Sequence, residues 1–135
     1  MTLWEVNPVS TLVDISYNIL KAEIMAKDGK FEEGIDLLRE AVMLEDSLIY
    51  AEPPDWFFSV RHSLGAILLE AGRYEEAEEI YLEDLVNYPK NGWAYLGLYK
   101  ALTGQGKKEE AEKNHQLFND SWQWSDTELS SSRIL

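Results

Sequence analysis

The sequence predicts an all-α chain made of three copies of one helical pair. Two offsets and one absence carry that reading. An offset of 34 residues superposes Leu64 on Leu98, Leu68 on Leu102, Gly72 on Gly106 and Ala77 on Ala111. An offset of 43 residues places Met25 on Leu68, Gly29 on Gly72, Phe31 on Tyr74 and Leu38 on Tyr81. No stretch alternates apolar and polar residues over the length of a strand.

Each copy divides at a glycine. In the middle copy Val60, Leu64, Ile67 and Leu68 form a helical apolar stripe that stops at Ala71-Gly72-Arg73. Glycine suits the left-handed conformation that ends a helix. Ala77, Ile80, Tyr81, Leu85 and Tyr88 then recur at helical spacing, with glutamates in the first turn where the helix dipole favours them. Pro89 closes the pair. The outer copies divide at Asp28-Gly29-Lys30 and Gly104-Gln105-Gly106. The expected helices are 14–27, 31–49, 56–71, 74–87, 91–104 and 108–122.

These boundaries define a repeat domain over 14–124, with copies at 14–50, 56–89 and 91–124. Residues 45–55 form an insertion between the first two copies. Residues 1–13 are expected to cap the first copy, helped by the apolar Trp4, Val6, Val9, Leu12 and Val13. The serine-rich stretch 125–135 reads as a mobile tail. One helical pair cannot cover both of its apolar faces, so neighbouring copies must stack into a continuous core.

Composition narrows the function. The chain of 135 residues has a net charge of −13, which disfavours nucleic acid and anionic membrane, because both need a basic face. Residues 28–55 hold nine acids and two bases, so a partner drawn by charge is expected to be basic. The absence of cysteine excludes a disulfide framework and thiolate chemistry, and suits a cytoplasmic setting. No apolar run has the roughly 20 residues of a transmembrane helix, and the first residues do not read as a signal peptide.

Leu64-Gly65, Leu68, Gly72, Tyr74, Ala77, Tyr81 and Pro89, together with the period of 34, resemble the signature of the tetratricopeptide-repeat family. The resemblance spans about residues 14–122. Gly34 stands for the usual alanine in the first copy; Tyr99 and His115 depart from the pattern in the third. More narrowly, the segment from Tyr50 to Leu98 resembles the C-terminal repeat region of larger bacterial repeat proteins, which implies that the chain is a fragment. The resemblance implies a right-handed superhelix, an α-solenoid whose concave groove binds peptides or proteins. The carboxylate clamp of some family members is not carried over, since its positions hold Ile19, Glu23, Ser63, Trp93 and Leu96.

Helical spacing puts Glu23, Ser59, His62, Ala66, Leu69, Trp93, Leu96 and Lys100 on the groove side. Trp93 and His62 there offer an aromatic wall for an apolar or aromatic anchor. In the insertion, Pro53 and Pro54 hold an extended turn and Asp55 is placed to cap a helix starting at Trp56. Arg61 is expected to pin the connection by pairing with Glu52, Asp55 or a neighbouring acid. The same carboxylates with His62 suggest a remote alternative, a metal-dependent hydrolase, although no metal-ligand spacing such as His-Glu-x-x-His occurs.

The resulting expectation is a non-enzymatic protein- or peptide-binding scaffold without catalytic residues, cofactor or metal. Its alternative is a self-associating structural module of a larger protein. Tyr17, Leu20, Ile24, Trp122 and Trp124 are the apolar residues expected to support a homodimer through an end of the stack.

Overall fold

The computed structural model describes residues 2–3 and 6–133. Met1, Trp4, Glu5, Ile134 and Leu135 lie outside the described residues, and with them parts of the expected cap and tail. The helices are α1 (Val9–Lys27), α2 (Phe31–Asp46), α3 (Val60–Glu70), α4 (Tyr74–Asn87), α5 (Gly92–Gly104) and α6 (Lys108–Trp122). Two short strands, β1 (Thr2–Leu3) and β2 (Asn7–Pro8), pair antiparallel and are too short to change the class. The chain forms two compact units, Met1–Val60 and Arg61–Leu135.

Three turns repeat one geometry. Gly29, Gly72 and Gly106 have φ of 78°, 74° and 77°. In each turn the glycine N–H donates three residues back, to Ala26, Leu69 and Thr103. The next N–H donates five residues back, from Lys30 to Met25, from Arg73 to Leu68 and from Lys107 to Leu102. This double closure satisfies helix-end carbonyls and requires the left-handed residue that glycine supplies without a Cβ clash. The following helices begin without side-chain caps, but each has two glutamates in its first turn.

In the first unit α1 packs on α2 around Ile15, Ala22, Ile35, Leu38 and Ala41, all buried. Gly34 faces the α1 backbone closely: a Cβ there would lie 3.1 Å from the Ala22 carbonyl oxygen, a tight contact. Helix α1 starts five residues before the expected position, so 9–13 are helical. Pro8 stands at its N-cap, where the missing N–H breaks no intrahelical bond. Helix α2 stops at Asp46, short of the expected 49, and the Ser47 hydroxyl donates to the Leu44 carbonyl.

Helix α3 starts at Val60, not at Trp56. Asp55 therefore does not cap it. The Asp55 carboxylate instead accepts from Asn7 Nδ2 at 2.8 Å, and the Val60 N–H donates to Glu45 Oε2 at 3.1 Å. Asn7 is one residue that holds the insertion, and sequence reasoning missed it. Its amide also donates to the Ile49 carbonyl at 2.9 Å and accepts from the Ile49 N–H at 2.8 Å.

In the second unit α4 packs on α5, and α5 on α6. Helix α5 begins after Asn91, whose side chain accepts from the Ala94 N–H at 2.8 Å as an N-cap. Tyr81 of α4 is fully buried between two glycines, Gly65 of α3 and Gly97 of α5. A Cβ would fall 2.4 Å from its ring at Gly65 and 2.1 Å at Gly97. One repeat later the positions of Gly65 and Tyr81 hold Tyr99 and His115. These two rings stack with centroids 4.5 Å apart, so an aromatic pair replaces the aromatic-in-glycine slot.

Candidate functional site

The second unit carries a constellation that begins in its buried polar groups. His62 Nε2 lies 2.7 Å from Asp84 Oδ2, and both side chains are buried. The same carboxylate oxygen accepts from Asn91 Nδ2 at 3.2 Å, joining α3, α4 and the start of α5. The His62 ring stacks on Trp93 at 6.0 Å, and Trp93 meets the edge of Trp122 at 5.5 Å. Arg61, nearly buried, donates to Glu83 Oε2 at 3.2 Å, an acid that sequence reasoning did not name.

Residues 125–133 cross this unit without forming a helix. The stretch expected to be a mobile tail makes side-chain and backbone contacts to the helices at several points. The Trp122 indole donates to the Thr127 carbonyl at 2.7 Å, and Lys100 Nζ donates to the Ser130 carbonyl. Arg133 Nη2 pairs with Glu70 Oε1 at 2.6 Å.

Ser132 is the deepest anchor, at 2% exposure. Its hydroxyl donates to the His62 carbonyl at 2.8 Å. A serine has one proton to give, so the Tyr81 hydroxyl, 2.6 Å away, is the donor in the second bond. Burial pushes the Tyr81 phenol well above its ordinary range, against the opposing effect of that bond, which keeps it protonated as a donor.

The residues expected to line a groove distribute as follows. Glu23 and Ser59 lie in the first unit and are buried. In the second unit His62, Ala66 and Leu96 are buried, Leu69 and Trp93 half-buried, and Lys100 exposed. His62 and Trp93 come together as a stacked pair, while Lys100 meets the tail. Lys100 also borders a hollow of about 350 Å³ with Tyr74, Tyr99, Thr103 and Gly104. Tyr81, Glu70 and Ser132 belong to this region without having been expected there.

Among the described residues, no group of three or more His, Asp or Glu side chains is placed to hold a metal ion. No helix among them is long and apolar enough to cross a membrane. No protein-family model matches the chain, and no curated protein matches it. Fold and site together define a class: an all-helical protein of packed neighbouring helices, with an irregular segment held against the helices of its second unit.

Proposed function

We propose that the chain is a non-enzymatic binding scaffold of the tetratricopeptide-repeat type, and that the surface around α3 and α5 takes a non-helical peptide segment. One observation carries this reading: residues 125–133, an irregular stretch with no helix or strand, are already held there through backbone carbonyls, a buried hydroxyl and an ion pair. The three identical glycine turns and the period of 34 support the repeat reading.

Binding is tested by nuclear magnetic resonance on the full chain, titrated with a pool of nonapeptides. Shifts clustered at His62, Trp93 and Lys100 are expected. No shift at millimolar peptide, either in the unaltered chain or in an Arg133→Glu chain whose ion pair to Glu70 is broken, would sink the proposal.

Self-association is the second reading, favoured by α1. Val13, Tyr17, Leu20 and Ile24 follow one another at helical spacing, and each is more than half exposed. Light scattering at high micromolar protein and moderate salt is expected to give a mass above the monomer, lowered by Leu20→Glu. A monomeric mass for the unaltered chain rejects this reading.

A further inference from the structure

We propose that residues 128–133 are an internal stand-in for the partner, and that the partner of this surface is a non-helical segment with a serine directly followed by an arginine. It binds by displacing the tail. This inference rests on the peptide-binding reading above and adds the identity of the motif and the competition.

The serine requirement comes from the seat of Ser132. Its neighbours are a phenol that donates and a backbone carbonyl that accepts, so the incoming side chain must accept from Tyr81 and donate to His62. A hydroxyl does both with one oxygen. Alanine leaves the buried Tyr81 phenol without its acceptor, and a carboxylate faces the His62 carbonyl with no proton to offer. The space is also small, because the Tyr81 ring fills the slot between Gly65 and Gly97.

The arginine requirement comes from the next position. Arg133 reaches Glu70 Oε1 at 2.6 Å, and its side chain is largely covered. A carboxylate at that position of the partner would face Glu70. Lys100, by contrast, reads only the Ser130 carbonyl, so it holds backbone and places no demand on sequence.

The same three contacts cannot serve two segments at once. A tail tethered a few residues from its site has an effective concentration on the order of millimolar. The full chain must therefore take a partner peptide more weakly than a chain whose tail has been loosened.

The probe is the labelled nonapeptide SDTELSSSR, residues 125–133, read by fluorescence polarisation against the full chain and two full-length variants. Ser132→Trp is too large for the seat, and Arg133→Glu sets two carboxylates together at Glu70. Each variant is expected to bind the probe at least ten-fold more tightly than the unaltered chain. On either variant, a probe with alanine in place of the last serine, or glutamate in place of the arginine, is expected to bind at least ten-fold more weakly. Circular dichroism checks that both variants are folded; if Ser132→Trp is not, Arg133→Glu decides alone.

Equal binding of the probe by the unaltered chain and by the folded variants overturns the competition. An array of nonapeptides separates the remaining outcomes. Retention that does not depend on the serine-arginine pair overturns the motif and leaves the peptide-binding reading standing. No retention of any peptide by either variant overturns both.

Discussion

His62 Nε2 and Asp84 Oδ2 lie 2.7 Å apart, and Asp84 has no exposed surface. Asp84 therefore exchanges its hydration for protein donors, His62 and Asn91 among them. Asp84→Ala leaves the two donors without this acceptor. The expected loss is about 3 kcal/mol, since a stranded buried polar group costs about 1–3 kcal/mol. Urea unfolding checks it, and a loss below about 1 kcal/mol would show the network to be dispensable.

The Tyr81 slot predicts an unusually intolerant glycine. A methyl at position 97 would sit 2.1 Å from a ring that is fully buried and cannot swing aside. Gly97→Ala is expected to cost about 3 kcal/mol, the upper end for overpacking a core. The clash is specific to the ring, so Gly97→Ala combined with Tyr81→Leu should cost less than the two changes summed. Strict additivity in thermal melts would refute the slot.

Asn7 predicts a local effect. Its amide group makes three hydrogen bonds, two to Ile49 and one to Asp55. Asn7→Ala removes all of them from a residue that is 2% exposed. Amide exchange in residues 47–59 is expected to rise by ten-fold or more, with the amides of α4–α6 unchanged. Exchange that rises equally throughout would mean that Asn7 supports global stability instead.

Glu78 gives a pH prediction. The hydrogen bond from Lys107, at 2.9 Å, lowers the Glu78 pKa, with Gln105 assisting and burial opposing. The same bond raises the Lys107 pKa. A depressed carboxyl contributes stability above its unfolded value and loses it as pH falls through the folded one. A raised ammonium keeps its contribution below the ordinary 10.5 and loses it as pH rises further. Stability from this pair is thus level at neutral pH and declines below about 4.5. Glu78→Gln should make the acid limb of a stability profile shallower between about pH 5 and pH 3. An unchanged limb would mean that other carboxylates dominate it.

Much of the helical frame was legible because its signals are local. Gly29, Gly72 and Gly106 mark turns through φ alone, and the apolar spacing of α4, with the offset of 34 that carries it to α6, places both helices where they stand. Boundaries slipped where a long-range partner intervenes. Asp55 resembles a helix cap by its position before Trp56, but Asn7, distant in sequence, engages its carboxylate. Gly97 carries no mark in the repeat pattern of its own copy; the Tyr81 ring against it explains it.

The candidate site divides in the same way. His62 and Trp93 were placed on one side by helical spacing, and the structure stacks them. Ser132 was not legible, because nothing in the run Ser130-Ser131-Ser132 distinguishes one serine from its neighbours. By itself the sequence determined the class and the turns, since helix periodicity and glycine conformation depend on residues within a few positions of each other. Only the tertiary structure decided where the insertion and tail lie. Short polar segments have no periodic face to bury, and their place is set by whichever donors and acceptors the packed helices leave within reach.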